Sequence, residues 1–203
     1  RRIDFARDLV AVAEQLACEP FLVGASLGGL ASMLAAGQLG LPARGVVLVD
    51  IAPRMRPAGV ERILNFMGSH PDGFASLADA ADAVAAYLPH RPRPDDLSGL
   101  EKNLRRHDDG RLRWHWDPAF LALAAERGTG EPEEAEAAVA AIRAPILLVR
   151  GQLSDLLTDD EVAQFRAVVP HADYVDVSGA AHMVAGDQND RFCAAVVDFL
   201  TRC

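Results

Sequence analysis

Phe21-Leu22-Val23-Gly24-Ala25-Ser26-Leu27-Gly28-Gly29 decides how this chain is read. Three apolar residues bounded by Pro20 and Gly24 predict a short buried strand. Leu27 to Leu39, rich in Ala, Leu and Met and closed by Gly40, predicts a helix. A serine between strand and helix, inside G-x-S-x-G, sits on a turn so tight that its backbone is strained and its hydroxyl stands clear of the sheet. Glycine is expected two positions before and two after, where a side chain would meet backbone. The N–H of Leu27 opens the helix at its positive end and can bind an oxyanion.

Working outward, the pattern repeats. Ile3, Ala6, Leu9, Ala13 and Leu16 recur at helical spacing before the motif. Val46 to Val49 predicts a strand ending at Asp50, and Ile146 to Val149 and Tyr174 to Val177 predict two more. Thr158-Asp159-Asp160-Glu161 has the form of a capping box, followed by the apolar face of Val162, Phe165 and Val169. Phe192, Val196, Phe199 and Leu200 share one face of a last helix. Alternating short strands and amphipathic helices imply an α/β fold with a mostly parallel sheet covered on both faces. Its strand C-termini then gather along one edge, where ligands bind.

The sheet is interrupted. Residues 1–52 and 143–203 read as core, and 53–142 as a helical cap or lid, far longer than a plain crossover needs. Ile63, Phe66 and Met67 mark one helix of the insertion. Ser76-Leu77-Ala78-Asp79 opens another. Leu97, Leu100 and Leu104 suggest a third, Phe120, Leu121 and Leu123 a fourth, and Glu131 to Ile142 a fifth.

A serine hydroxyl needs a base. His182, in Gly179-Ala180-Ala181-His182-Met183, follows the last strand and can reach the serine from there. His70, His90, His107 and His115 lie in the insertion, and His171 precedes a strand at the far edge. The imidazole needs a carboxylate to fix its tautomer. Asp155, after the Ile146–Val149 strand in Arg150-Gly151-Gln152-Leu153-Ser154-Asp155, is the favoured acid. Asp50, which also ends a strand, is its rival.

Composition narrows the function. Across 203 residues the formal net charge is −9, so a polyanion is repelled on average and no nucleic-acid partner is expected. Arg91, Arg93, Lys102, Arg105 and Arg106 are interleaved with Pro and acidic residues and read as solvated surface. Three cysteines, Cys18, Cys193 and Cys203, make neither a disulfide framework nor a zinc site. Cys18 and Cys193 are expected to pack as small hydrophobes, and reduced thiols fit a cytoplasmic location. No apolar run approaches the roughly 20 residues of a membrane helix. No metal or cofactor is expected: no ligand cluster stands out, and the glycines of 24–29 do not form G-x-G-x-x-G.

On these residues the chain resembles the α/β-hydrolase superfamily. It looks most like the cofactor-free bacterial hydrolases that include esterases, perhydrolases and carbon–carbon bond hydrolases. The resemblance rests on the elbow, Val46-Val47-Leu48-Val49-Asp50-Ile51-Ala52-Pro53, Leu147-Leu148-Val149-Arg150-Gly151 and Ala181-His182-Met183. It implies a serine hydrolase of an ester, lactone or thioester that works through an acyl intermediate on Ser26, with His182 as base and Asp155 as acid. Epoxide hydrolases and haloalkane dehalogenases of this fold carry aspartate at the elbow, unlike Ser26. A lyase, a perhydrolase or a non-catalytic binding protein could share the same triad.

The partner is expected to be a small to medium, partly apolar substrate, with Trp114, Trp116 and Phe66 as lining candidates. Many relatives place the acid three residues after the strand glycine, where this chain has Ser154. The family also has about four strands before the first helix seen here. The resemblance therefore implies an N-terminal segment or a second chain that completes the sheet and supplies a second oxyanion N–H.

Overall fold

A computed structural model describes residues 1–121 and 132–203. They fall into two compact units, Arg1–Val60 with 132–203, and 61–121. Pro53–Val60 and 132–142 therefore belong with the sheet, and the insertion proper is shorter than 53–142.

The first unit is built on four parallel strands in the order β1-β2-β5-β6. These are β1 (Phe21–Ala25), β2 (Gly45–Val49), β5 (Ile146–Gly151) and β6 (Asp173–Val177). β2 and β5 are buried along their whole length, as strands covered on both faces must be. Val47, Val49, Leu147 and Val149 pack with Val196 and Phe199 of the C-terminal helix. The alternate residues Val46, Leu48, Ile146 and Leu148 are as deeply buried on the opposite face. Truncating any one of these leucines to alanine costs about 2–5 kcal/mol.

Helix α1 (Arg2–Leu16) packs on α2 (Leu27–Met33), which packs on β1 and runs on as a π-helical turn over Leu34–Gln38. α1 buries only its small residues, Ala6 and Ala13. Leu16, expected on the apolar face, is exposed. Cys18 and Cys193 are exposed too, which corrects the expectation that they pack inside. β1 is an edge strand whose Val23 is 50% exposed. An open groove of about 450 Å³ runs along that edge, lined by Phe5, Leu9, Phe21, Val23, Leu27 and Ala31 among others.

The second unit holds the greater part of α3 (Pro57–Gly68), then α4 (Leu77–Tyr87), the short α5 (Ser98–Glu101) and a hairpin of β3 (Leu104–Arg106) with β4 (Leu112–Trp114). The capping box of α4 forms as its sequence requires: Asp79 N–H donates to Ser76 Oγ at 3.1 Å, and Ser76 N–H to Asp79 Oδ2 at 3.0 Å. The helix expected from Leu97, Leu100 and Leu104 is not continuous. It stops at Glu101, and Leu104 enters β3 and pairs with Trp114. Gly110, at φ 79°, makes the hairpin turn. Phe120 and Leu121 are helical, as expected for the fourth helix, and Leu123 falls outside the described residues.

The chain returns to the first unit through α6 (Pro132–Ala141), which packs on the π-helical turn. The approach is so close that a Cβ on Gly37 would stand 1.8 Å from the Ala138 carbonyl oxygen. α7 (Asp159–Val168), α8 (Val184–Asp187) and α9 (Asn189–Arg202) complete it. Arg150, buried at the end of β5, pairs with Asp159 at 2.6 Å and lies 3.3 Å from Asp176.

Candidate active site

Ser26 leaves β1 with φ 49° and ψ −121°, left-handed backbone that a non-glycine residue holds only under strain. The turn is closed by its own carbonyl, which accepts Gly29 N–H at 2.9 Å and Leu30 N–H at 3.1 Å to start α2. A Cβ at Gly24 would lie 2.4 Å from the Gly28 oxygen. The second constrained position differs from the sequence reading. A Cβ on Gly28 meets nothing within 4 Å, whereas one on Gly29 would lie 2.3 Å from an Ile51 methyl and 2.9 Å from the Gly24 oxygen. Leu27 is the first helical residue after the serine, where backbone N–H groups have no intrahelical acceptor.

The next strand end mirrors this one. Ala25 is in register with Val49, so Ser26 and Asp50 leave neighbouring strands side by side, about 4.8 Å being the usual strand spacing. Asp50 is also left-handed, at φ 48°, and its side chain is fully buried. Its carboxylate accepts three hydrogen bonds. Gly151 N–H donates to Oδ1 at 3.1 Å, Ser154 Oγ–H to Oδ2 at 2.6 Å, and His182 Nδ1–H to the same Oδ2 at 2.8 Å. Three donors offset the cost of burying this group.

His182 reaches Asp50 from the loop after β6. That loop is pinned by Leu153 N–H to Ala180 O at 2.7 Å and by Ala181 N–H to Asp187 Oδ2 at 2.8 Å. Gly151 lets it come close, since a Cβ there would sit 2.2 Å from the Ala181 oxygen. The imidazole is only 13% exposed. A carboxylate only accepts, so Nδ1 carries the proton and Nε2 presents a lone pair, the tautomer a general base needs.

The contact differs from the one expected of the favoured acid. The carboxylate on His182 Nδ1 is that of Asp50, not Asp155. Ser154 takes the β5-loop position facing Asp50. Asp155, one residue on, has its backbone against Gly59 of α3, where a Cβ would lie 2.4 Å from the Asp155 oxygen. The adjacency of β1 and β2 is the signal that would have chosen Asp50, and it is a property of strand order rather than of spacing along the chain.

The lining candidates come together with one another, inside the second unit. Trp114 and Trp116 stack with ring centres 4.9 Å apart, Phe66 and Tyr87 stack at 4.1 Å, and Phe66 lies 5.9 Å from Trp114. Phe74 meets Trp114 edge-on at 5.3 Å. Among the described residues no group of three or more His, Cys, Asp or Glu side chains is placed to hold a metal. Nor is any helix of the described residues long and apolar enough to cross a membrane.

This geometry coincides with a family match. The model of the alpha/beta hydrolase family matches residues 1–195, and the chain belongs to that family. It is 34% identical over 172 residues to a 3-hydroxybutyrate-oligomer hydrolase of Cupriavidus necator, a match covering 78% of this chain and 57% of that protein. It is 32% identical over 174 residues to the esterase Rv0045c of Mycobacterium tuberculosis, covering 83% of this chain and 56% of that one. The structure of that esterase superposes with a TM-score of 0.76 at 29% identity, over 97% of this chain and 68% of the other. The fold also matches E-2-(acetamidomethylene)succinate hydrolase, with a TM-score of 0.86 at 24% identity, over 99% of this chain and 74% of that one. The chain spans under three fifths of the length of the first two relatives.

Proposed function

We propose that the whole protein is a serine hydrolase of a small to medium, partly apolar ester, lactone or thioester. One observation carries the reading: a strained serine stands beside a buried carboxylate that holds an imidazole in the basic tautomer. Ser26 Oγ attacks the substrate carbonyl carbon while its proton passes to His182 Nε2. Asp50 holds Nδ1–H and stabilises the imidazolium that forms. Leu27 N–H faces the charge that develops on the carbonyl oxygen. Collapse expels the alcohol or thiol, which takes the proton from Nε2. Water then gives its proton to Nε2 and attacks the acyl carbon, and the adduct collapses to the free acid as Ser26 Oγ takes that proton back.

The names of the two relatives above 30% identity, an oligomer hydrolase and an esterase, make carboxylic esters the first class to test. Phe66, Trp114 and Trp116 are our candidates for the residues that receive the apolar part of the substrate. Three exposed, unpaired thiols suit a reducing compartment such as the cytoplasm. The apolar edge of β1 and the greater length of the relatives support a further element of the whole protein: a segment of its own chain that pairs with β1, fills the groove and completes the oxyanion site.

The test is turnover of p-nitrophenyl esters of increasing acyl length by the full-length protein beside Ser26→Ala. Hydrolysis of short or medium chains that disappears with Ser26→Ala is expected. No turnover of any chain length contradicts the proposal.

A further inference from the structure

The hydroxyl of Ser154 is a side-chain partner of Asp50 that the reaction above leaves without a role. Its hydrogen-bonding capacity is fully committed. A hydroxyl has one donor and two lone pairs. Ser154 Oγ accepts Leu156 N–H at 3.1 Å and Leu157 N–H at 3.4 Å, and donates to Asp50 Oδ2 at 2.6 Å. Leu156 and Leu157 are each 1% exposed, so the two amides that aim the oxygen are fixed in the core. With both lone pairs taken, the O–H points at Asp50. It meets the same oxygen that accepts His182 Nδ1–H, whereas Gly151 N–H takes the other.

Resting on the reading of Asp50 and His182 as the acid–base pair, we propose that Ser154 is a positioning residue that sets the strength of the His182–Asp50 hydrogen bond. It does so in two ways. Together with Gly151 N–H it holds the carboxylate plane, so that Oδ2 stays on the line to Nδ1. It also draws charge from Oδ2, because two donors on one carboxylate oxygen compete for the same electron density. Without the hydroxyl, Oδ2 gains charge but is no longer held on the line to Nδ1, and the lost alignment outweighs the gain and lowers kcat. Charged residues close to the pair along the chain include Asp187 on the His182 loop, Asp155 beside Ser154, Arg54 after β2 and Arg150 on β5. Asp187 accepts Ala181 N–H, and Arg54 is paired with Glu133 and Glu136 of α6. Ser154 Oγ–H and His182 Nδ1–H are the two donors that share Oδ2, so a change at Ser154 acts directly on the oxygen that holds His182.

The experiment compares full-length wild type, Ser154→Ala, Ser154→Thr and Asp50→Asn with p-nitrophenyl butyrate. It also records the downfield proton NMR signal of His182 Nδ1–H. For Ser154→Ala the expected result is a kcat lower by about tenfold, the scale of one charge-assisted hydrogen bond. KM should stay within about twofold and the Nδ1–H signal should move. Ser154→Thr, which keeps a hydroxyl, should return both to near wild type. A Ser154→Ala protein with wild-type kcat overturns the proposal, as does one that loses kcat while the Nδ1–H signal stays in place. If Ser154→Ala does not fold, Ser154→Cys, a weak donor of similar shape, serves instead: lowered kcat with a moved signal supports the proposal, and wild-type values for both overturn it. Asp50→Asn separates the two levels. Loss of turnover there with a silent Ser154→Ala removes only the role of Ser154. Retained turnover in Asp50→Asn removes the acid–base reading and this inference with it.

Discussion

His182 Nδ1 lies 2.8 Å from Asp50 Oδ2, although 132 residues separate them in the chain. The contact spans the sheet from the loop after its last strand to the exit of β2, over the intervening β5. It joins His182 to the strand next to that of Ser26.

Asp50→Asn should lower kcat on any turned-over ester by about a thousandfold or more, because an amide holds the wrong imidazole tautomer. Asp155→Asn should leave kcat within about threefold of wild type. Steady-state kinetics on purified variants decides between the two carboxylates. The opposite ranking would restore Asp155 as the acid.

The turn at Ser26 makes unequal demands on its glycines. Gly24→Ala and Gly29→Ala place a methyl within 2.4 Å and 2.3 Å of fixed atoms, and should each destabilise by about 1–3 kcal/mol or more. Gly28→Ala enters open space and should stay within about 1 kcal/mol of wild type. Urea unfolding of the three variants checks the order.

Helix α7 should lose stability in acid. Burial raises the Glu161 carboxyl, but hydrogen bonds from the Thr158 side chain and backbone outweigh it and leave Glu161 below its usual range. A lowered folded-state value means the stabilisation is present above the unfolded pKa, about 4.3 for Glu, and fades as pH falls through the folded one. Glu161→Ala should therefore cost about 0.5–1 kcal/mol near pH 6 and much less near pH 3. A gap that does not shrink in acid would contradict this account of the cap.

The free edge of β1 predicts behaviour in solution. The 203-residue chain by itself should bind a hydrophobic dye and self-associate on exclusion chromatography, and the full-length protein should do neither. A soluble, active monomer of the 203 residues alone would remove the need for a covering segment.

How much of this was legible in the sequence depends on which interactions are local. The elbow at Ser26 is a contest between a Cβ and backbone a few residues away, so its glycines betray it. The boxes Ser76–Asp79 and Thr158–Glu161 are equally local and formed as read. The acid was not local. Asp50 and Asp155 both follow strands, and only the register of Ala25 with Val49 sets one of them beside the serine. The hairpin was hidden because Leu97, Leu100 and Leu104 mimic a helical face. Asp109-Gly110, with Gly110 left-handed, was the overlooked turn signal. Cys18 and Cys193 were misplaced because helix ends and outer faces admit small apolar residues at little cost.

The proposed chemistry requires His182 to activate Ser26. Its most direct measurement is the rate and site of labelling by a fluorophosphonate probe on the full-length protein, with mass spectrometry of the modified peptide. Modification at Ser26 is expected in wild type, none in Ser26→Ala, and a loss of at least about a hundredfold in rate in His182→Ala. Labelling that persists at the wild-type rate without His182, or falls on another residue, contradicts it.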